Sequence, residues 1–208
     1  MPNLDRQCSQ CRRANEKLFL KGEKCSGPKC PMLKRPYAPC QHGPTKKGAR
    51  KLFGYCKQLK EKQEAKRTYG LRERQFANYV AEASSKTGDT GKFLLQYLES
   101  RLDNVVFRMG LAKSRALARQ LTSHGHITIN GKKVDIPSYR VRVGEVIALS
   151  PKAMKKKPFE NIAETLSKIE APVWLGVEAK TASAKILNTP SVENTPFSAK
   201  AIIEFYSR

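Results

Sequence analysis

The sequence has few acidic residues for its length and lacks any long apolar run. Its 208 residues include 18 Asp and Glu against 40 Lys and Arg, which leaves a formal charge of +22 at pH 7. No apolar run approaches the roughly twenty residues that span a bilayer, and the first eleven residues lack the apolar core of a signal peptide. We therefore expect a cytoplasmic protein in a reducing compartment, with no membrane partner.

Residues that would support catalysis are not found in any familiar arrangement. The sequence has three histidines, and it contains neither a phosphate-binding glycine loop nor a nucleophile elbow. Its acidic residues are mostly isolated or placed beside lysines, so no carboxylate pair suggests acid–base chemistry. We therefore expect no enzymatic activity and no small-molecule substrate.

The positive charge is concentrated in the first three quarters of the chain. Residues 158–208 carry five basic and six acidic residues, so the excess lies in residues 1–157. An excess of this size is greater than solubility requires and attracts polyanions, of which nucleic acid is the commonest. The near-neutral end of the chain is expected to pack on the rest of the protein or to meet another protein.

Apolar spacing and glycine positions predict several helices after an irregular start that is rich in Cys and Pro. Tyr69-Gly70 is expected to interrupt the first helical region, because glycine disfavours helix interiors. Ser114 is a suitable N-cap for a short helix that stops at Gly125. The predicted helical regions are 52–85, 93–109, 115–123 and 159–169.

Alternating and β-branched residues predict strands in the second half of the chain. Asn130-Gly131 is a strong signal for a two-residue hairpin, and a turn is expected near Gly144. The predicted strands are 127–129, 134–136, one or two within 139–149, 173–177 and 201–207.

Five of the six cysteines lie in the first 40 residues, and four of them form two close pairs. Cys8 and Cys11 are separated by two residues, Cys25 and Cys30 by four, and thirteen residues lie between the pairs. Two pairs joined by a loop are typical of a tetrahedral thiolate site, and four thiolates close the coordination shell of a structural zinc. We therefore predict one structural zinc bound by Cys8, Cys11, Cys25 and Cys30.

Other interpretations of the cysteines stay open. Spacing alone does not exclude an iron–sulfur cluster, whereas disulfides do not fit a reducing compartment. Cys40 and His42 could replace a ligand, and Cys56 lies in a helical context that suits a small apolar filler. Neighbouring cations are expected to lower the thiol pKa values and to offset the negative charge of the site. These cations are Arg12, Arg13, Lys24 and Lys29.

A second group of cations lies around the helix and hairpin of residues 113–134. Arg115 and Arg119 are four residues apart and share a helix face, and the amides that follow Ser114 can bind a phosphate. Residues 108–134 contain no acidic residue that would pair with these arginines. Cations held in fixed positions suit a folded RNA, which is recognised by shape. The expected RNA contacts here are Arg101, Arg108, Lys113, Ser114, Arg115, Arg119, His124, His126, Lys132 and Lys133.

Residues 99–145 resemble the helix–helix–hairpin RNA-binding module of the bacterial small-subunit ribosomal protein four (S-four) family. The module also occurs in pseudouridine synthases and tyrosyl-tRNA synthetases, so alone it indicates a binder of structured RNA. Residues 35–44 resemble the Pro-rich Gln-His-Gly segment of the ribosomal family, and residues 62–80 resemble its helical core. The segments "PVWLGV" and "IIEFYSR" resemble its C-terminal strands, and the four cysteines resemble its zinc-bearing form.

The resemblance implies a primary binder of 16S ribosomal RNA that nucleates assembly of the small-subunit body. It also implies contact with ribosomal protein five of the small subunit, at an interface that affects decoding accuracy, and with messenger RNA near the entry channel. Cys40 stands where the family usually has glycine, which puts the local turn in question. The cations that match the family's entry-channel loop are Lys46, Lys47, Arg50 and Lys51. Further expected RNA contacts are Arg12, Arg13, Arg72 and Arg74.

Together these patterns predict an α+β fold with an inserted RNA-binding module. The expected parts are a zinc-binding four-cysteine segment, 1–43, a helical core domain, 44–98, the helix–helix–β-hairpin module, 99–157, and a C-terminal helix and strands, 158–208, that pack back on the helical domain. The alternative functions are an RNA-modifying enzyme or regulator that carries the same module, and a zinc-dependent DNA regulator.

Overall fold

The computed structural model describes residues 7–40, 43, 54–156, 159, 162–167, 170–191 and 197–207. Within these ranges, every helix is too short or too polar to cross a membrane. The chain divides into two compact units, Met1–Leu95 with Asn194–Arg208 and Gln96–Glu193. Some predictions fall outside the described residues, namely those for His42, Lys46, Lys47, Arg50 and Lys51.

Helices occur along the whole described chain, and the strands lie between Ile127 and Ile186. The helices are α1 Gln7–Ala14, α2 Glu23–Ser26, α3 Pro31–Lys34, α4 Gly54–Thr68, α5 Glu73–Ser84, α6 Thr90–Glu99, α7 Leu102–Arg108, α8 Arg115–Ser123, α9 Pro151–Met154, α10 Ile162–Ser167 and α11 Ala199–Tyr206. The strands are β1 Ile127–Ile129, β2 Lys132–Val134, β3 Val146–Leu149, β4 Leu175–Glu178 and β5 Ser183–Ile186.

The first unit is built around the contact between α4 and α11. The prediction of a helix break at Tyr69-Gly70 is confirmed, because Gly70 has a φ of 62° between α4 and α5. Residues 201–207, predicted as a strand, form most of α11, so that prediction is wrong. The Ser198 side chain accepts a hydrogen bond from the Ala201 amide at 3.4 Å and caps the helix, and Ile202 is fully buried. A capped segment with one buried face is more stable as a helix against α4 than as an isolated strand.

The second unit contains one antiparallel sheet with the strand order β2-β1-β3-β5-β4. The predicted hairpin is confirmed, since Ile129 pairs with Lys132 across Asn130-Gly131. Asn130 and Gly131 have φ values of 48° and 79°, as a two-residue hairpin turn requires. This tight turn makes β2 begin at Lys132, two residues before the predicted start.

The last two strands belong to this sheet rather than to the helical unit. β5 pairs with β3, and β4 pairs with β5, so the predicted strand 173–177 does not return to the helical domain. Residues 201–207 do pack on α4 of that unit, as a helix. β5 was not predicted, because its sequence, SAKI, lies in a Ser- and Thr-rich stretch. Pairing with β5 satisfies the backbone N–H and C=O groups along one edge of β3, which would otherwise be exposed.

The predicted helix 93–109 is divided into α6 and α7. Arg101 lies in the break with extended backbone angles, φ −65° and ψ 138°, and forms an isolated β-bridge with Arg140. The Leu102 amide donates to the Tyr139 carbonyl at 2.8 Å, and the Val141 amide donates to the Ser100 carbonyl at 2.9 Å. These hydrogen bonds replace helical ones and stop α6.

The core of the second unit is formed by α7, α8 and the sheet. Helices α7 and α8 pack together, and their buried side chains contact residues from β1, β3, β4 and β5. The principal members are Leu102, Val105, Val106, Met109, Ala118, Ile127, Ile129, Ile147, Leu149, Trp174, Leu175, Ala184 and Ile186. The helix–hairpin unit is therefore rigid, as expected for a platform that holds cations in place.

Candidate RNA-binding surface

The arginines of the second unit are held by acidic and amide side chains from the end of α6 and the first turn of α7. Asp103 accepts from Arg101 Nε at 3.0 Å and Nη2 at 2.8 Å. The same carboxylate accepts from Arg119 Nε at 3.0 Å and Nη2 at 2.7 Å. Asp103 thus joins a buried arginine at the start of α7 to a partly exposed arginine on α8.

A second set of hydrogen bonds runs parallel to the first. Glu99 accepts from Arg108 Nε at 3.0 Å and Nη2 at 2.9 Å, and from Asn104 Nδ2 at 2.8 Å. Asn104 Oδ1 in turn accepts from Arg115 Nε at 2.8 Å. The Arg115 guanidinium also lies over the Phe107 ring, 4.6 Å from its centre. Each arginine is therefore oriented by a charge-assisted hydrogen bond, an aromatic face or both.

This network changes the interpretation of four predicted RNA contacts. Arg101 is 1% exposed, so its expected RNA contact is wrong and its role is structural. Arg108, Arg115 and Arg119 keep partly exposed side chains. Residues 108–134 contain no acidic residue, as the sequence shows, but the side chains that pair with these arginines come from residues 99–104. The side-chain partners at the end of α6 and the start of α7 were missed because their approach depends on how α7 packs on α8.

Other predicted cations of this unit are exposed on its surface. Lys113, Lys132, Lys133 and His124 are all exposed. The Ser114 hydroxyl accepts from the Leu117 amide at 3.3 Å, so the predicted N-cap is confirmed. The hydroxyl therefore stabilises the start of α8, next to the exposed Lys113.

Two histidines and two lysines lie together beyond the end of α8. The rings of His124 and His126 are 6.1 Å apart, and His126 also lies 6.4 Å from the Phe159 ring. Burial lowers the pKa of His126, and the charges of Lys156, His124 and Lys133 lower it further. Lys156 was missed as a site residue, although the basic run "MKKK" at 154–157 was a usable signal.

The predicted cations of the first unit have different environments. Arg12 Nε donates to the carbonyl oxygens of Arg35 at 3.0 Å and Tyr37 at 2.9 Å. Its guanidinium lies 4.8 Å from the centre of the Tyr37 ring, so Arg12 tethers the segment after α3 to α1. Arg13, Arg72 and Arg74 are exposed, the last two around the start of α5.

The four cysteines of the predicted metal site line one small cavity. Cys11, Cys25 and Cys30 are buried, Cys8 is half-buried, and the other lining residues are Lys21, Lys24, Pro31 and Met32. The Lys21 amide donates to Cys25 Sγ at 3.3 Å. Within the ranges described, no group of three or more Cys, His, Asp or Glu side chains is arranged closely enough to hold a metal ion. The donor set thus fits zinc chemically, while its geometry is not that of a formed site.

The electrostatics of this cavity differ from the sequence prediction. Burial raises the pKa of the Cys11 thiol, a hydrogen bond from the Leu18 backbone opposes that shift, and the charges of the other three cysteines raise it again. The expected lowering by neighbouring cations is therefore wrong for Cys11. Desolvation and the charges of the other three cysteines set the direction of this shift.

Two known protein families match adjoining segments of the chain, which together span residues 3–147. The family described as "Ribosomal protein S4/S9 N-terminal domain" matches residues 3–99, and the family described as "S4 domain" matches residues 100–147. The second match contains the hairpin and every residue of the arginine network except Glu99, and the first contains Glu99 and the cysteines.

Curated relatives match over almost their whole length. The small ribosomal subunit protein uS4 of Acetivibrio thermocellus is 50% identical over 203 residues, which cover 97% of this chain and 96% of that protein. The uS4 protein of Thermus thermophilus is 48% identical over 203 residues, with the same coverage. The uS4A protein of Alkaliphilus metalliredigens is 48% identical over 206 residues, which cover 98% of each chain. This chain therefore belongs to the uS4 family of small ribosomal subunit proteins.

Proposed function

We propose that this chain is a structural, non-enzymatic protein of the small ribosomal subunit in the cytoplasm, and that it binds the ribosomal RNA of that subunit. The observation that carries the proposal is the near-complete match to proteins named uS4, at 48–50% identity over more than 200 residues. A family defined by its place in a ribonucleoprotein particle explains the charge of +22 and the absence of a catalytic motif in the sequence.

The arrangement of cations supports recognition by shape and backbone contacts. Arg115 and Arg119 are oriented by Asn104 and Asp103 and remain partly exposed. Guanidinium groups held in this way lose little side-chain entropy when they meet a phosphate. Lys132 and Lys133 follow the hairpin turn of the same rigid unit. We expect phosphate contacts to dominate, with little reading of base edges.

A salt titration with an arginine double variant tests the proposed surface. Arg115→Met with Arg119→Met should weaken binding to the folded small-subunit transcript and reduce the slope of log K against log salt by about one to two. Lys180→Met removes one charge at an exposed position of the same unit and serves as the control. An unchanged slope in the double variant would contradict the phosphate role of both arginines.

Competition experiments separate this function from its alternatives. The unmodified chain should prefer the small-subunit transcript to heparin and to duplex DNA at physiological salt. Equal affinity for all three would refute recognition of a folded RNA, and a preference for DNA would favour the regulator. Turnover of a ribosomal RNA substrate would favour the modifying enzyme.

The finer partners of the family are part of the proposal. We propose that the chain is a primary binder of 16S ribosomal RNA that nucleates assembly of the subunit body. We further propose that it meets ribosomal protein five of the small subunit at an interface that affects decoding accuracy, and messenger RNA near the entry channel. The support for these partners is the sequence resemblance. Cross-linking of assembled subunits tests them, and a cross-link pattern without that protein would contradict the interface.

We also propose that Cys8, Cys11, Cys25 and Cys30 bind one structural zinc. The support is their spacing and their convergence on one cavity. A divalent cation would relieve the repulsion among four thiolates, and structural zinc contributes on the order of 10 kcal/mol to ordering such segments. Four sulfur ligands would leave no open coordination position, so the ion would have no catalytic part.

Metal analysis of the purified chain tests this site. We expect one zinc per chain, and its loss in Cys11→Ser or Cys25→Ser. Cys40→Ser and Cys56→Ser are matched controls, because both thiols are exposed, and both variants should keep the zinc. Iron with visible absorption would instead support the iron–sulfur alternative, and metal-free protein from zinc-supplemented cells would overturn the site.

A further inference from the structure

Four cationic or titratable side chains lie near one another where α8 runs into the hairpin. His124 and His126 flank Gly125 after α8, Lys133 comes from β2, and Lys156 follows α9. Lys156, His124 and Lys133 all act electrostatically on His126. Among the described residues, none of these four side chains forms a salt bridge. The cluster therefore brings positive charge together without a described counterion.

Gly125 allows this arrangement for two reasons. Its φ of +66° is a left-handed backbone conformation that residues with a Cβ rarely adopt. A Cβ at position 125 would also overlap the Cε and Nζ atoms of Lys133. The Lys133 side chain can therefore lie directly over the turn between the two histidines. The glycine thus ends α8 and also makes room for the lysine ammonium.

The position of the cluster makes His126 sensitive to a bound anion. His126 is half-buried, with Phe159 on one side and His124 on another. Burial and the surrounding positive charges both disfavour its protonated form. A phosphate placed among the four side chains would reverse the sign of the local field, and it would favour the imidazolium, which donates two hydrogen bonds.

We propose that His124, His126, Lys133 and Lys156 form a binding site for one backbone phosphate of the RNA, and that occupancy of the site is coupled to proton uptake by His126. This inference rests on the proposed RNA-binding function. It adds Lys156 as an RNA contact, places one phosphate beyond the end of α8 and makes the binding of RNA depend on pH. Lys133 and Lys156 supply permanent charge, whereas His126 supplies charge that depends on pH. Because His126 has a lowered pKa in the free protein, it is largely neutral at pH 8 and gains its proton on binding as the pH falls.

Affinity measured at two pH values tests the coupling. The full chain is titrated with the folded small-subunit transcript at pH 8.0 and pH 6.0 and at one ionic strength. The wild-type chain should bind about three- to tenfold more tightly at pH 6.0, since uptake of up to one proton changes the binding constant by up to tenfold per pH unit. The double variant His124→Gln with His126→Gln should lose most of this difference in affinity between the two pH values. Protonation of the RNA itself affects both proteins equally, so it does not contribute to the difference between them.

A lysine pair provides the matched charge control. Lys156→Met should weaken binding at both pH values. Lys155→Met removes the same charge from the adjacent exposed position, which does not act on His126, and should weaken binding less. Equal losses in the two variants would overturn the assignment of Lys156 to the site.

Two outcomes separate this inference from the function beneath it. If the ratio of affinities at pH 6.0 and pH 8.0 is the same for the wild-type chain and the histidine variant, the proposed proton-coupled site is wrong, while the proposed RNA binding still holds. If the wild-type chain does not prefer the transcript at either pH, the proposed function itself fails. Should the histidine variant not fold, the pKa of His126 in the wild-type chain, followed by NMR, must rise when a short RNA duplex is added. An unchanged pKa would refute the site.

Discussion

Replacing Asp103 with asparagine should strongly destabilise the second unit. Asp103 accepts four hydrogen bonds of 2.7 to 3.0 Å from Arg101 and Arg119. Its side chain is 5% exposed and that of Arg101 is 1% exposed. Asp103→Asn keeps the shape of the side chain but removes the negative charge that faces a buried guanidinium.

The expected magnitude follows from the burial of the two partners. Removing one member of a buried ion pair costs about 3–5 kcal/mol, because the remaining charge stays desolvated. A compact domain has a total stability of about 5–15 kcal/mol, so the loss is a large fraction of it. Arg119→Met should cost about 1 kcal/mol or less, since its side chain is 25% exposed and Arg101 continues to pair with Asp103.

Urea unfolding followed by tryptophan fluorescence measures the effect. Trp174 is the single tryptophan of the chain, is 4% exposed and shares the core cluster with Leu102, so it reports on this unit. Asp135→Asn, at an exposed position of the same unit, should change the free energy of unfolding by less than about 0.5 kcal/mol. A similarly small change for Asp103→Asn would refute the reasoning, because it would mean that Arg101 is solvated in the folded state.

Three further substitutions test other local features. Burial raises the pKa of Glu64 to about 8, and a hydrogen bond with Glu16 adds to the shift. The folded chain therefore loses stability as the pH rises from about 4.5 to about 8. Glu64→Gln should therefore be more stable than wild type at pH 8, by up to about 5 kcal/mol, and equal to it near pH 4.5, as measured by thermal unfolding with circular dichroism. Burial of Glu73 is outweighed by hydrogen bonds from Lys62, Lys66 and Tyr206, which lower its pKa to about 2. Glu73→Gln should accordingly cost about 1 kcal/mol or less at pH 7, and the difference should disappear as the pH falls from about 4.5 towards 2; a difference that persists at pH 2 would contradict this. Ser114→Ala removes the cap of α8 and should cost about 1 kcal/mol in urea unfolding followed by Trp174 fluorescence, whereas Ser85→Ala in the other unit should leave that transition unchanged.

Local signals in the sequence were sufficient for the elements that depend on neighbouring residues. The hairpin at Asn130-Gly131, the stop at Gly125 and the cap at Ser114 were all predicted correctly, because a turn or a cap is determined by the backbone preferences of a few adjacent residues. The net charge and the two cysteine pairs were likewise visible in the sequence, and they indicated a polyanion partner and a metal site before any fold was known.

Tertiary structure alone decided the features that depend on distant partners. The break before Arg101 requires hydrogen bonds to Tyr139 and Val141, and β5 forms because β3 offers an unpaired edge. Arg115 meets Asn104 and Arg119 meets Asp103 only because α7 packs against α8. Residue spacing determines which face of an element a side chain occupies, whereas burial and ion pairing depend on what the fold places opposite that face.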